Sequence, residues 1–138
     1  MPIMEWKENF DLGIEQFDVH HRHMVELLNG AYDNYRNDSN VAVLSATLNE
    51  LFEYAMYHFR LEEQYMKDIN YAGLAEHLEY HKYFSGQVTA MRKDLTAVRK
   101  NLPLEILTFL KNWLTFDISM ADVEYIRCSS SDEWKKCA

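Results

Sequence analysis

The sequence predicts an all-α protein, an up-down-up-down antiparallel four-helix bundle preceded by an N-terminal arm. Four long segments repeat apolar residues at steps of three and four, and short polar breaks separate them. The 138 residues contain only four Gly and two Pro, too few for the many turns of a β-sandwich or barrel. A chain of this length forms one domain around one core.

The polar breaks define where the predicted helices begin and end. Turn-forming residues cluster at 37–40, 68–73 and 101–103. The four segments between them are residues 18–37, 40–68, 73–99 and 103–122. The predicted single domain, 1–138, therefore divides into an arm at 1–17, a bundle at 18–122 and a tail at 123–138. Short connections make consecutive helices antiparallel neighbours.

The first two predicted helices each show one stripe for burial. The first stripe consists of Phe17, His21, Met24, Leu28, Ala31 and Tyr35. The second consists of Leu44, Leu48, Leu51, Ala55, His58, Glu62 and Tyr65. Steps of three and four keep such positions on one face of an α-helix, which indicates that this face packs inward.

The third and fourth predicted helices follow the same rule. The third stripe consists of His77, His81, Phe84, Val88, Met91, Leu95 and Val98. The fourth consists of Leu107, Leu110, Leu114, Asp117 and Ala121. Pro103 suits the first turn of the fourth helix because its missing N–H has no partner there in any case.

Polar residues interrupt these stripes at one height of the bundle. They are His21, His58, Glu62, His77, His81 and Asp117. The starts of odd helices and the ends of even helices lie at the same end of an up-down-up-down bundle, so all six face inward in one layer. Burying one unpaired polar side chain is unfavourable, and six together need a common partner. The layer therefore predicts a metal site inside the bundle.

The spacing and the residue types support this interpretation. His58 and Glu62 are four residues apart, as are His77 and His81, so each pair projects from one helix face. Imidazole and carboxylate together favour iron, manganese or zinc over calcium or magnesium.

Three further residues lie at the edges of the layer. Asp122 follows Asp117 by five residues, a rotation of about 140° on an ideal helix. It can join the site only if the helix is distorted or ends there. His20 and His23 flank the first stripe, and we expect them to be solvated or to support the ligands rather than to bind metal.

Charge and cysteine content limit the partners and the compartment. The net charge of −8 argues against a nucleic-acid or anionic-membrane surface. No apolar run reaches the length of a membrane span, and the N-terminus does not resemble a signal peptide. Two cysteines, Cys128 and Cys137, are too few for a disulfide framework. These features predict a cytoplasmic protein.

Four sequence blocks in this order resemble the bacterial hemerythrins. The blocks are DVHH at 18–21, HFRLEE at 58–63, HLEYH at 77–81 and WLTFDISMAD at 113–122. The resemblance runs from Trp6 to about Tyr125. It implies a four-helix bundle that holds two iron ions as a non-haem di-iron centre, bridged by an oxo or hydroxo group, and that binds O2 reversibly.

The resemblance also assigns ligands. It implies that His77 and His81 bind one iron, that His21 and His58 bind the other, and that Glu62 and Asp122 are the bridging carboxylates. One position departs from the family pattern, because Asp117 stands where the fourth-helix motif has His. Asp117 has three open roles: direct ligand, ligand through water, or no ligand. An added anion stabilises the more highly charged metal, so it weakens reversible O2 binding.

The resemblance favours an oxygen-binding protein over an enzyme. Its function would be oxygen carriage, storage or delivery, with O2 or another small diatomic or peroxide ligand as partner and no protein partner indicated. The first alternative is a di-iron enzyme of oxidase or peroxidase type that activates O2 or peroxide, because Asp117 makes the site richer in carboxylate. The second is a metal-storage or metal-sensing protein.

Overall fold

Four helices make up most of the computed structural model, which describes residues 2–37, 41–94 and 102–121. The helices are α1 Glu15–Asn37, α2 Val41–Asp68, α3 Leu74–Asp94 and α4 Leu102–Phe116. A 3-10 turn, Glu8–Phe10, lies in the arm, and a π-helical turn, Asp117–Ala121, continues α4. Helix α1 packs against α2 and α4, and α3 packs against the same two helices. The predicted four-helix bundle is confirmed.

The start of the first helix differs from the prediction. Helix α1 begins at Glu15, three residues before the predicted start at 18, and its first turn carries Glu15 and Asp18. Acidic side chains there complement the positive end of the helix dipole. The predicted ends of the third and fourth helices, at 99 and 122, lie outside the described residues, as do Cys128, Cys137 and the tail. Within the described ranges, no helix has the long apolar stretch required to cross a membrane.

Within the predicted helical segment 103–122, the α-helix runs only to Phe116, and from Asp117 to Ala121 the backbone forms the π-helical turn. Two hydroxyls near this point bond to carbonyls four residues earlier. Thr115 Oγ1 donates to the Lys111 carbonyl at 2.8 Å, and Ser119 Oγ donates to the Thr115 carbonyl at 2.5 Å. Such bonds compete with the backbone ladder and often bend helices. The turn begins at a residue of the polar layer, and π-helical turns are frequent at functional sites.

The arm is fastened to α1 beside the polar layer. The Asp18 carboxylate accepts hydrogen bonds from the backbone N–H of Leu12 at 2.8 Å and of Gly13 at 3.1 Å. Gly13 has a φ of 102°, a conformation that side chains other than hydrogen rarely allow. Further along, the Asn29 side chain exchanges two hydrogen bonds with the backbone of Met4. The arm therefore has fixed positions at both ends.

We expect Asp18→Ala to lower the free energy of unfolding by about 1–2 kcal/mol, because two backbone donors lose a charged acceptor. Thermal or urea unfolding of the metal-free chain measures this loss. Asp33→Ala is the matched control, since Asp33 is an exposed residue on the same helix. Equal stability of the two variants would show that Asp18 does not hold the arm.

The turn between α2 and α3 places the end of one helix against the start of the next. The Tyr71 N–H donates to the Met66 carbonyl, and the Asn70 N–H donates to the Lys67 carbonyl. With Asn70 in the left-handed region at φ 54°, this is a Schellman motif. The motif ends α2 soon after Glu62 and starts α3 soon before His77.

Apolar residues cover the polar layer on both sides along the bundle axis. The large core cluster lies on the inner side and includes Met24, Ala55, Phe84 and Leu114. A smaller cluster built on Phe17 and Met66 lies on the outer side, towards the α2–α3 turn. Phe17 precedes His21 by one helical turn, and Met66 follows Glu62 by one turn. The layer is thus enclosed by apolar side chains, which keeps bulk water away from it.

Candidate metal centre

The structure brings the six predicted layer residues together in the bundle interior. His21, His58, Glu62 and Asp117 are 0% exposed, and His77 and His81 are 6% and 4% exposed. Their ligand atoms form two groups, each with all atoms within 4.8 Å of one another. One group consists of Glu62, His77, His81 and Asp117, and the other consists of His21, His58 and Asp117.

Glu62 on α2 lies between three histidines, one on its own helix and two on α3. Its Oε1 is 3.1 Å from Nε2 of His77 and 3.0 Å from Nε2 of His81. Its Oε2 is 3.0 Å from Nε2 of His58, one turn earlier on the same helix. The two ligand groups form two halves of the layer, one with His77 and His81 and the other with His21 and His58. The two oxygens of Glu62 therefore point to different halves.

The charge state of Glu62 follows from these contacts. Burial by itself raises the pKa of a carboxyl group, but His58 and the hydrogen bonds from His58, His77 and His81 lower it. The balance places the pKa of Glu62 well below its ordinary value. Glu62 is accordingly an anion inside the bundle, and a buried anion requires compensating positive charge.

Asp117 belongs to both groups of the layer. It is the first residue of the π-helical turn, and its carboxylate approaches the ligand atoms of His77 and His81 as well as those of His21 and His58. Although aspartate is shorter than histidine, the Asp117 side chain reaches the layer from the turn that continues α4. The layer gains a second buried carboxylate that both halves share.

In two histidines of the layer, the ring nitrogen that does not face Glu62 contacts another polar side chain. Nδ1 of His58 is 2.8 Å from Nδ1 of His20, and Nδ1 of His81 is 3.0 Å from Oε1 of Glu63. Burial, followed by the charges of His58 and His21, lowers the pKa of His20 to about 4. His20 is therefore neutral at physiological pH.

Aromatic rings pack against the same imidazoles. Phe59 stacks on His81 with ring centroids 3.8 Å apart and planes within 10°. Phe17 meets His58 edge to face, with centroids 5.6 Å apart. These contacts restrict rotation of the imidazoles, so their Nε2 atoms stay directed towards Glu62.

The donor set fits a pair of transition-metal ions. Four imidazoles and two carboxylates converge, and each imidazole can bind through one nitrogen. Asp117 belongs to both ligand groups, and Glu62 contacts both halves because its Oε2 is 3.0 Å from Nε2 of His58. The layer is buried, and the Nδ1 contacts supply the support that metal-binding histidines usually have.

Comparisons with known proteins agree with this geometry. A family model described as the hemerythrin HHE cation binding domain matches residues 12–124. The chain belongs to the hemerythrin family. The bacteriohemerythrin of Clostridium acetobutylicum is 33% identical over 125 residues, which cover 88% of this chain and 97% of that protein. The bacteriohemerythrin of Stenotrophomonas maltophilia is 29% identical over 125 residues, which cover 91% and 80%.

Solved hemerythrin structures share the fold. A crystal structure of wild-type hemerythrin superposes with a TM-score of 0.84 at 25% identity, covering 94% of this chain and 99% of that chain. The resemblance to bacterial hemerythrins seen in the sequence is confirmed. The chain belongs to the hemerythrin family and has a buried cluster of His, Glu and Asp side chains, and this cluster is its candidate metal centre.

Within this hemerythrin fold, not every predicted site residue can be compared with the structure. Asp122, the second predicted bridging carboxylate, lies outside the described residues. The helix distortion that its participation requires is present just before it, at Asp117–Ala121. His23 packs against Tyr54, with ring centroids 4.3 Å apart, and is not part of either ligand group.

Sequence reasoning missed Glu63 and left the role of His20 open. Each of these residues directly follows or precedes a layer residue, Glu62 or His21, and each contacts a histidine on the next helix. Both residues are polar and adjacent to a layer position, which is a partial signal in the sequence, but which adjacent residues face the neighbouring helix depends on how the helices are rotated.

Proposed function

We propose that this hemerythrin-family chain binds two iron ions in the polar layer and carries, stores or delivers O2. The observation that carries the proposal is Glu62, whose two oxygens point to histidines in opposite halves of the layer. A carboxylate so placed suits a ligand that bridges two ions. His77 and His81 would hold one iron, His21 and His58 the other, and Asp117 would contribute to both. When bound, the iron pair supplies the two electrons with which O2 is taken up.

The surroundings of the layer support a small apolar ligand. A cavity on its inner side has apolar walls that include Met24, Ala55, Phe84 and Leu114. Each of these four residues is three positions along its helix from a layer residue. The cavity volume is about 10 Å³, room for about one water-sized molecule, so its size suits a diatomic ligand better than a larger one. Phe17 and Met66 close the other side, so the chain's own residues exclude water from the layer.

The test combines metal analysis with visible spectroscopy on the same sample. Anaerobic loading with ferrous iron is expected to give about two irons per chain. Exposure to air should produce a visible absorption band, and removal of O2 under vacuum should reverse it. One zinc per chain in the protein as purified, before any iron is added, would instead support a metal-storage or metal-sensing protein.

One observation favours a second candidate function, a di-iron enzyme that activates O2 or peroxide. Asp117 adds a buried carboxylate to both halves of the layer, and carboxylate ligands favour the more highly charged metal. For this candidate we expect irreversible oxidation in air and steady turnover of hydrogen peroxide that a chelator abolishes. Reversible O2 uptake without peroxide turnover would exclude it.

A further inference from the structure

We propose that the two halves of the layer are unequal because their histidines are held by different residues: a neutral imidazole, His20, positions His58, whereas a carboxylate, Glu63, positions His81. The His81 half therefore binds its cation more tightly and fills first. The proposal rests on the proposed metal centre and deepens it, because it assigns positioning roles to two residues outside the ligand set.

The contact between His20 and His58 determines which nitrogen carries hydrogen. The two Nδ1 atoms are 2.8 Å apart, and both side chains are buried. A cation in the layer binds His58 through the Nε2 lone pair, because Nε2 is the nitrogen that faces Glu62. The hydrogen of His58 is then on Nδ1, so His58 donates and the Nδ1 lone pair of His20 accepts. His20 consequently acts as an uncharged acceptor.

The surroundings of His20 suit an uncharged ring. Its ring neighbours among the described residues include Phe17, Tyr54 and Tyr57, with centroids 5.5–6.0 Å away. The His20 and His58 rings are perpendicular, with centroids 5.0 Å apart, so the hydrogen bond fixes the direction of His58 as well as its tautomer.

The contact between Glu63 and His81 has the same form but a different charge. Oε1 of Glu63 is 3.0 Å from Nδ1 of His81, and Nε2 of His81 faces Glu62 at 3.0 Å. A carboxylate accepts this hydrogen bond more strongly than a neutral group does, and it makes the imidazole a better electron donor to a metal. The Glu63 side chain is 28% exposed, so water weakens this effect without removing it.

The two positioning residues, His20 and Glu63, occupy equivalent places on consecutive helices. His20 on α1 reaches His58 on α2, and Glu63 on α2 reaches His81 on α3. Each residue is the sequence neighbour of a layer residue and contacts the following helix. The same arrangement of contacts therefore occurs twice, once with an imidazole as the acceptor and once with a carboxylate.

Titration of the chelator-treated full chain with cobalt(II), followed by visible absorption, tests the proposal. The unmodified chain should bind two cobalt ions in separable steps, with affinities about tenfold or more apart. Glu63→Gln should weaken the first step about tenfold, whereas His20→Glu should strengthen the second step by a similar factor. Glu53→Gln, an exposed change on the same helix, is the control and should alter neither step.

Rescue separates positioning from general loss of structure. His20→Leu removes the acceptor and should weaken the second step about 10–100-fold, with a changed cobalt spectrum. His20→Gln keeps an acceptor oxygen and should recover part of the affinity and of the spectrum. Circular dichroism of each variant checks that the bundle is intact.

The outcomes distinguish this proposal from the proposed function. Two equal cobalt affinities, or variants that bind like the unmodified chain, would overturn the inequality and leave the metal pair in place. Failure of the unmodified chain to bind two ions would overturn both.

Discussion

Glu62→Gln is expected to abolish binding of the metal pair while the bundle remains folded. The substitution keeps the size of the side chain and removes the carboxylate that contacts His58, His77 and His81. The amide oxygen of glutamine still accepts hydrogen bonds, but the NH2 group that replaces the second oxygen is only a donor and cannot bind a cation. Because supporting residues alone change metal affinity about 10–100-fold, loss of a shared ligand should lower it by more than about 100-fold.

Two measurements together make this prediction specific. Iron content after desalting should fall from about two per chain to below one. Iron should also raise the melting temperature of the unmodified chain and not that of the variant, because a ligand stabilises only the state that binds it. Glu53→Gln is the matched control, an exposed glutamate on the same helix. A Glu62→Gln protein that keeps two irons would show that Glu62 does not bridge.

The bundle and its polar layer could be predicted from the sequence because both follow from helical periodicity. Steps of three and four identify the inward face of each helix, and the up-down order then decides which residues share a height. His21, His58 and Asp117 come from three different helices, yet their positions from the helix ends were enough to bring them together. The structure agrees, with all three fully buried.

The π-helical turn could not be predicted because ideal periodicity assumes a regular backbone. The turn depends on competition between backbone and hydroxyl hydrogen bonds near Thr115 and Ser119, and the same residues are common in straight helices. Asp117, which belongs to both ligand groups, is the first residue of this turn. Its reach to both halves of the layer was therefore hidden from the sequence.

The contacts of His20 and Glu63 were hidden for a different reason. A residue at the edge of a helical stripe points either to solvent or to the neighbouring helix, and the choice depends on how the helices are rotated about their axes. The structure places His20 against His58 and Glu63 against His81. Small rotations, rather than residue type, separate a supporting residue from a solvated one.

Asp117→His is expected to shift the balance of the centre from oxidation towards reversible O2 binding. The change removes one of the two buried carboxyl groups of the layer and introduces the residue that the hemerythrin pattern has at this position. A unit charge about 4 Å away is worth roughly 4 kcal/mol at an effective dielectric constant of about 20. The midpoint potential of the iron pair should therefore rise on the order of 100 mV, and oxidation in air should slow.

A second variant separates the charge from the size of the new side chain. Asp117→Asn has nearly the volume of aspartate and removes the same charge, so it should raise the potential as well, whereas imidazole is larger and must fit a position that is 0% exposed. Redox titration and the rate of air oxidation measure both variants, and Asp33→His on the surface of α1 is the control. If both variants keep the potential and the oxidation rate of the unmodified chain, Asp117 does not act on the metal. If only Asp117→His changes them, the nitrogen ligand matters and the charge does not.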